Sequence, residues 1–487
     1  MSLAKAAAAG VRWNAASTAG MTALQTGTLV VLGRLLDPRD FGLLAIMVLV
    51  TGLAGIIASL GLSEALVQRA ETNREQLSSL YWANVALGFI VYGAVWFGAP
   101  VVSELFGEPG LDPMLRTISL VFVINSWGSQ FRALLQRELR FKTQASINLV
   151  AVAVASATSI VLAILGFGVW ALIWGSISNA ASATLLLALV AARSDWIPSL
   201  VFRLEPIKDY LSFGAYVLGS HVVNFFASRS DQLIIGTVLG AEPLGFYAMA
   251  FNLVVRPTTL VNPVITQVAF PVLAKVQGDT DRLKAGYLRM LRILTAVNGP
   301  VLFGFAAIAP IAIPLVLGEK WSTIAPLVQL LAAYALLRSI GNAGGSLVLA
   351  VGKARWSLFW NLGRAFAFPI FVYVGAQLGA LIGVGWALVG VQLGLFLVFY
   401  GLFVRIHLGP CLPDYLISSG VPIAFAAAMA LVVLGLVEVT RSAPRVAAVA
   451  GSVAVGAVVY FSLYWRFERE ELIATTSLLF GRERQKQ

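Results

Sequence analysis

Gly33-Arg-Leu-Leu36-Asp-Pro-Arg-Asp-Phe41-Gly42-Leu-Leu-Ala45 returns 203 residues later as Gly236-Thr-Val-Leu239-Gly-Ala-Glu-Pro-Leu244-Gly245-Phe-Tyr-Ala248. Gly, Leu, Gly and Ala coincide at 33, 36, 42 and 45. A second pair, Leu105-Phe-Gly107-Glu108 and Val316-Leu-Gly318-Glu319, lies 211 residues apart. Self-similarity at a long period marks a duplicated unit and precedes any reading of single segments. The first pair falls between apolar runs 1 and 2 and again between runs 7 and 8. The second falls between runs 3 and 4 and between runs 9 and 10. The chain therefore reads as two six-helix halves. Six is even, so both halves keep one orientation, related by an axis along the membrane normal. Parallel halves with a site at their interface are a transporter architecture.

The composition requires a membrane. Hydrophobic residues make up 59% of the 487 and charged residues only 12%, against about 25% charged in a soluble domain. That excludes a soluble enzyme, a disordered chain and a nucleic-acid-binding domain. Apolar runs, each near the ~20 residues a spanning helix needs, fall at about 12–33, 41–67, 78–103, 114–134, 144–165, 168–192, 209–236, 244–273, 285–316, 323–350, 355–375, 380–404, 414–438 and 445–465. Irregular backbone cannot face lipid, so each run is expected as a helix. The expected fold is all-α and polytopic, with about fourteen transmembrane helices in two lobes. Its parts are a lobe at 1–192, a linker at 193–208, a second lobe at 209–405, two further helices at 406–465 and a charged tail at 466–487.

Charge sets the orientation. Of 34 lysines and arginines, 25 fall at the N-terminus and the even-numbered connectors, six on the other side, and three, Arg229, Arg256 and Arg338, inside spans. This is the positive-inside pattern and places both termini in the cytoplasm. The net charge of +11 is thus a topology signal, and no nucleic-acid partner follows from it. The tail, with Arg466, Arg469, Arg482, Arg484 and Lys486, is expected against anionic lipid.

The single cysteine, Cys411, and the distant His221 and His407 exclude a disulfide framework and a zinc site. No G-x-x-x-x-G-K-[ST] loop is present, so no nucleotide or other cofactor is implied. Asp37-Pro-Arg-Asp40 would suit a glycosyltransferase, but its repeat mates Gly240 and Pro243 make a plain turn.

Polar residues in spans should face a cavity or a partner helix. In run 1, Asn14, Ser17, Thr18, Gln25 and Thr28 share a face. In run 7 that face is His221, Asn224, Ser228 and Asp231, and the 203 offset maps Thr18, Gln25 and Thr28 onto His221, Ser228 and Asp231. Run 4 carries Asn125, Ser129, Arg132 and Gln136; run 8 carries Asn252, Arg256, Thr259 and Thr266; run 10 carries Tyr334, Arg338 and Asn342. Arg256, Arg338, Arg229 and Arg132, with Asn252, Asn342, Tyr334, Asn125 and Gln25, are therefore the expected cargo-cavity residues. The forked guanidinium suits an anionic cargo such as a diphosphate. Asp231 is the carboxylate well inside a span, and His221 lies on its face, so these two residues are the expected ion-coupling element.

Several segments taken in order resemble a known family: Gly33 to Gly42 above, Gly61-Leu-Ser-Glu-Ala-Leu-Val-Gln-Arg69, Leu135-Gln-Arg-Glu-Leu-Arg-Phe-Lys142, Gly166-Phe-Gly-Val-Trp-Ala-Leu172, Asp231-Gln-Leu-Ile-Ile-Gly236 and Gly318-Glu-Lys-Trp321. They are similar to the polysaccharide transporter branch of the multidrug/oligosaccharidyl-lipid/polysaccharide exporter superfamily, the Wzx-like flippases of the colanic-acid or xanthan exporter type. The resemblance covers roughly residues 10–360 and implies a fold of two six-helix lobes in a V plus two C-terminal helices. It implies proton-coupled flipping of an undecaprenyl-diphosphate-linked oligosaccharide across the bacterial inner membrane, by alternating access. It also implies a polysaccharide polymerase and a chain-length regulator as working partners, and it identifies no sugar. A lipid II flippase, a cation-coupled drug exporter, and a membrane polymerase or glycosyltransferase are the alternatives. Against the drug exporter, run 1 has no carboxylate; against the enzyme, no outer connector is long.

Overall fold

The computed structural model describes residues 3–59, 73–194, 196–203, 208–440 and 443–469. The Gly61–Arg69 motif and the tail beyond 469 lie outside the described residues. All described regular structure is helical. The helices are α1 (Leu3–Leu35), α2 (Pro38–Ser59), α3 (Arg74–Leu105), α4 (Leu111–Ile118), α5 (Leu120–Arg137), α6 (Phe141–Ile164), α7 (Val169–Ala192) and α8 (Lys208–Val238), then α9 (Ala241–Lys275), α10 (Thr280–Leu317), α11 (Ala325–Ala350), α12 (Ala354–Phe399), α13 (Arg405–Leu408), α14 (Leu412–Val439) and α15 (Arg445–Phe467). A 3₁₀ turn, Glu319–Ile324, leads into α11, and a π turn, Tyr400–Val404, joins α12 to α13.

Helix underlies the described part of each apolar run. Among the described residues, ten helical stretches are long and apolar enough to cross a bilayer, and one of these, Arg355–Leu408, covers two of the expected runs. Run 4 is interrupted at Ser119, between α4 and α5. Runs 11 and 12 form the single α12, whose helical geometry fails at Gly379 (φ −155°, ψ 26°) and Ala380 (φ 49°, ψ −136°). At that bend a Cβ on Gly383 would lie 2.1 Å from the Gly375 carbonyl oxygen. Only glycine lets the two arms approach so closely.

The chain forms two compact units, Met1–Gly245 and Phe246–Gln487. In the first, α3, α5, α6 and α7 enclose a core of Leu80, Phe131, Leu135, Ile147 and Leu187. The segment after α7 is strapped onto the start of α3. Ser199 N and Trp82 Nε1 donate to Ser78 Oγ and the Ser199 carbonyl, each at 3.0 Å, and Arg203 pairs with Glu75 at 2.8 Å. Between runs, Arg39 reaches Glu108 at 2.6 Å, and that hydrogen bond raises the guanidinium pKa above its ordinary value. In the second unit, α10, α14 and α15 pack through Ala307, Ala426, Met429, Val433 and Tyr460.

The repeat is written in the backbone. Gly107 (φ 63°), Leu139 (φ 56°) and Gly168 (φ 55°) take positive φ in the first half, and their counterparts Gly318 (φ 102°), Gly352 (φ 73°) and Ala380 (φ 49°) do so in the second. Gly168 and Ala380 also share ψ, −134° and −136°. The quoted motif has its own geometry inside the first unit. A Cβ on Gly42 would fall 1.7 Å from the Ala241 carbonyl oxygen, and one on Gly245 would fall 1.9 Å from that of Pro38. Pro38 and Ala241 are themselves repeat mates, at the same offset as Gly42 and Gly245. The first turns of α2 and α9 thus cross reciprocally, each glycine seated on the other helix's equivalent carbonyl, which accounts for both glycines of the motif.

Candidate cargo site

In the first unit α2, α3, α5 and α7 leave a cavity of about 310 Å3. α5 supplies Asn125, Ser126, Ser129 and Arg132 at helical spacing, α3 supplies Asn84, and α7 supplies Thr184. The packing that shapes it is tight: a Cβ on Gly88 would lie 2.5 Å from Ser126 Cβ. Ser126 and Ser129 donate to Val123 and Ser126 carbonyls, and Thr184 donates to the Ile124 carbonyl. Their hydroxyl lone pairs remain available to accept. No described residue hydrogen-bonds or ion-pairs with the Arg132, Asn84 or Asn125 side chains. The wall therefore offers five guanidinium N–H groups and two carboxamides to an occupant.

The second unit holds a smaller cavity of about 30 Å3, lined by Arg338, Asn342, Trp360, Arg364, Gln392 and Phe399 among others. Beside it, three buried groups from three helices close a polar node. Asn298 Nδ2 donates to Asn262 Oδ1 at 2.9 Å and to Ser339 Oγ at 3.0 Å, and Ser339 Oγ donates to Asn262 Oδ1 at 2.8 Å. The node ties α9, α10 and α11 at the residue after Arg338 and so fixes where that arginine emerges. A third cavity, about 550 Å3 and apolar, runs between α10, α14 and α15, with Pro300, Phe305, Met429, Val453 and Phe461 on its walls.

The expected residues separate into those brought together and those not. Asn125 and Arg132 share the first cavity, and Arg338 and Asn342 share the second. Tyr334 is buried against Phe368, ring centroids 6.4 Å apart, rather than facing a cavity. Arg256 on α9 is half-buried and lines neither polar cavity. Asn252 Nδ2 donates to the Ala248 carbonyl at 2.8 Å, and Arg229 donates to Gln232 Oε1 at 3.2 Å. Gln25 and His221 are exposed. Asp231 is buried and accepts the Gln232 backbone N–H at 2.8 Å. Ten residues along α8, roughly 15 Å of rise, separate it from His221, so the two do not form a pair. Sequence reading missed Asn84, Thr184, Gln392, Trp360 and Arg364. Arg364 had a signal: it lies inside the run 355–375, although its charge was counted with the cytoplasmic connector.

All-helical, multi-pass and internally repeated, with polar side chains turned into cavities within its helix bundles, the chain is a membrane transporter by class. It belongs to the polysaccharide biosynthesis protein family, whose model matches residues 31–326. It is 33% identical over 422 residues to the lipopolysaccharide biosynthesis protein WzxC of Escherichia coli K12, covering 87% of this chain and 86% of that one. It is 30% identical over 471 residues to the teichuronic acid biosynthesis protein TuaB of Bacillus subtilis, covering 95% and 96%. The inward closed structure of the lipid II flippase MurJ superposes with a TM-score of 0.74 at 13% identity, over 95% of this chain and all of that one. That last likeness is one of fold.

Proposed function

We propose that the chain is a flippase. It carries an undecaprenyl-diphosphate-linked oligosaccharide from the cytoplasmic to the outer leaflet of the bacterial inner membrane, for polysaccharide export. The observation that carries this reading is the 310 Å3 cavity of the first unit, set in a chain of the polysaccharide biosynthesis family. Ligand pockets begin at about 300 Å3. A wall of Asn84, Asn125, Ser126, Ser129 and Thr184 offers alternating donors and acceptors to sugar hydroxyls, and Arg132 adds a cation for an acidic group. The apolar cleft beside Pro300 and Phe461 accepts a hydrocarbon chain such as a polyprenyl tail. A lipid II cargo has only the shared fold in its favour, whereas relatives at 30–33% identity are named for lipopolysaccharide and teichuronic acid biosynthesis. Both termini are cytoplasmic. A polymerase and a chain-length regulator take the cargo onward.

The test is reconstitution of the full-length chain in vesicles holding a lipid-diphosphate-linked oligosaccharide with a fluorescent sugar. Appearance of label on the opposite leaflet, dependent on the protein, supports the reading; equal rates with and without protein overturn it. Orientation is read separately with an impermeant thiol reagent in cells. Cys411 is buried, so background is low. Cysteines placed at Gly110 and Glu242 are expected to react from outside, and those at Asn73 and Arg203 to stay silent.

A further inference from the structure

Among the described residues, the cavity at Arg338 is lined by two cations and no carboxylate, with the Arg364 guanidinium over the Phe368 ring at 5.5 Å from its centroid. Arg338 and Arg364 both line it and lie close enough for each charge to act on the other. No described residue hydrogen-bonds or ion-pairs with either guanidinium, and Arg364 Nε is fully buried without a partner. Gln392 is 5% exposed, and its Oε1 is likewise buried and unpartnered. An unpaired charge or amide taken out of water is costly, and native structures retain such groups where a ligand completes them.

The sister repeat shows that the fold does not need them. With the offsets set by Leu139–Gly352 and Gly168–Ala380, Arg364 corresponds to Ala151 and Gln392 to Ala180, both buried core alanines at 2% and 3% exposure. The second unit has placed a cation and an amide where the first packs methyl groups.

The surroundings define the occupant. Trp360 stacks on Trp356 at 5.2 Å and meets Phe399 at 5.4 Å, and Tyr415 stacks on Phe396 at 4.6 Å. This aromatic wall does not yield readily. Gly341 and Asn342 at the mouth are exposed. About 30 Å3 accommodates roughly two waters and is far too small for a sugar ring. We propose that Arg338, Arg364 and Gln392 form a seat for one oxyanion group of the cargo, a phosphoryl or a carboxylate. This rests on the transport reading and deepens it. The two forks supply the charge and several N–H donors. Gln392 Nε2 donates as well, and its Oε1 accepts from a hydroxyl beside the anion. The diphosphate of the lipid carrier and an acidic sugar both present this chemistry.

The experiment is thermal unfolding of the purified full-length chain at constant ionic strength. Chloride is exchanged for pyrophosphate or glucuronate, with glucose as the neutral control. An anion that binds only the folded chain raises Tm; a shift of about 2–4 °C is expected from pyrophosphate, glucuronate or both, and none from glucose. Pyrophosphate alone points to the lipid carrier, glucuronate alone to an acidic sugar. Arg364→Gln is expected to leave the ligand-free Tm unchanged or higher, since it removes a repulsion, and to abolish the shift. Gln392→Glu supplies the counterion internally, so the ligand-free Tm should rise while the shift disappears. That variant decides the matter alone if Arg364→Gln does not fold. No shift in the wild type overturns the seat, as does a full shift retained in Gln392→Glu or in Arg364→Gln. Vesicle flipping that survives those results leaves the transport reading standing.

Discussion

The two polar cavities occupy corresponding places in the two repeats and have become different sites. Asn125, Gly128 and Ser129 line the first where their repeat mates Arg338, Gly341 and Asn342 line the second; Thr184 and Leu187 of the first give way to their own counterparts, Phe396 and Phe399. One change of wall explains the difference in size. A threonine and a leucine leave about 310 Å3, while two phenylalanines, with Trp360 edge-on to Phe399, leave about 30 Å3. Charge moves too. Arg132 of the first cavity has Gly345 as its counterpart, and Arg338 of the second has Asn125. Duplication fixed the place of a site in each half, and side-chain replacement set what each one takes: a roomy amide- and hydroxyl-lined cavity in one, a tight cationic one in the other.

Removing one of the two cations of the tight cavity should produce the largest effect. Arg338→Ala is expected to abolish polymer export at normal protein level, because truncating one side of a buried charge pair costs about 2–5 kcal/mol of affinity. Arg338→Lys should recover only part, since a point charge loses the fork. Export measured as secreted polysaccharide per cell, beside the amount of inserted protein, checks this. Normal export by Arg338→Ala would erase the functional distinction between the two cavities. Arg256→Ala sharpens it: that arginine lines neither cavity, so its loss should harm export less than the loss of Arg338.

The roomy cavity should respond more mildly. Several neutral groups share its wall, so loss of one cation removes one contact among many. Arg132→Gln is expected to lower the rate of vesicle flipping about tenfold, near the ~1.5 kcal/mol of a single hydrogen bond to a charged group. A loss as complete as that of Arg338→Ala would show the two cavities to be alike in function.

Asp231 tests whether coupling belongs to the second repeat alone. Its buried carboxylate accepts a backbone N–H at 2.8 Å, and its counterpart in α1, Thr28, carries no carboxylate. Asp231→Asn is expected to remove the stimulation of flipping by an imposed pH gradient, a fall of severalfold, while cargo binding persists. An unchanged pH response means that the carboxylate holds the helix in place and couples nothing.

The line between what the sequence disclosed and what it withheld follows helix boundaries. Apolar runs and their repeat are properties of one stretch of chain, and the described part of every run lies on helix. Polar residues of a single helix were equally legible: Asn125, Ser129 and Arg132 share a face because helical spacing puts them there, as do Arg338 and Asn342. Which helix lies opposite is a tertiary fact. Asn84 and Thr184 meet α5, and Arg364 and Gln392 meet α11, across distances in sequence that no periodicity encodes. The same limit explains Arg256, whose stripe on α9 looked like the partner of α11. The contact between those helices near Arg338 is instead the closed node of Asn262, Asn298 and Ser339, and the neighbouring cation is Arg364.

The smallest expected effect concerns the backbone that the halves share. Gly168 and Ala380 adopt nearly the same conformation, φ 55° and ψ −134° against φ 49° and ψ −136°. This is close to the first central position of a type II′ turn, which glycine adopts freely and a Cβ disfavours. The first repeat meets the demand with glycine; the second holds alanine there against a local cost of order 1–3 kcal/mol. Gly168→Ala should therefore lower stability by about that amount, and Ala380→Gly should raise it by about 1 kcal/mol, less than the full strain because glycine also loosens the unfolded chain. Unfolding of both variants in the same detergent measures the pair. Opposite signs would mean that the two breaks carry one backbone requirement. If Ala380→Gly instead destabilises, the alanine methyl contributes packing that outweighs the strain, and the second repeat has diverged in its hinge as well as in its cavity.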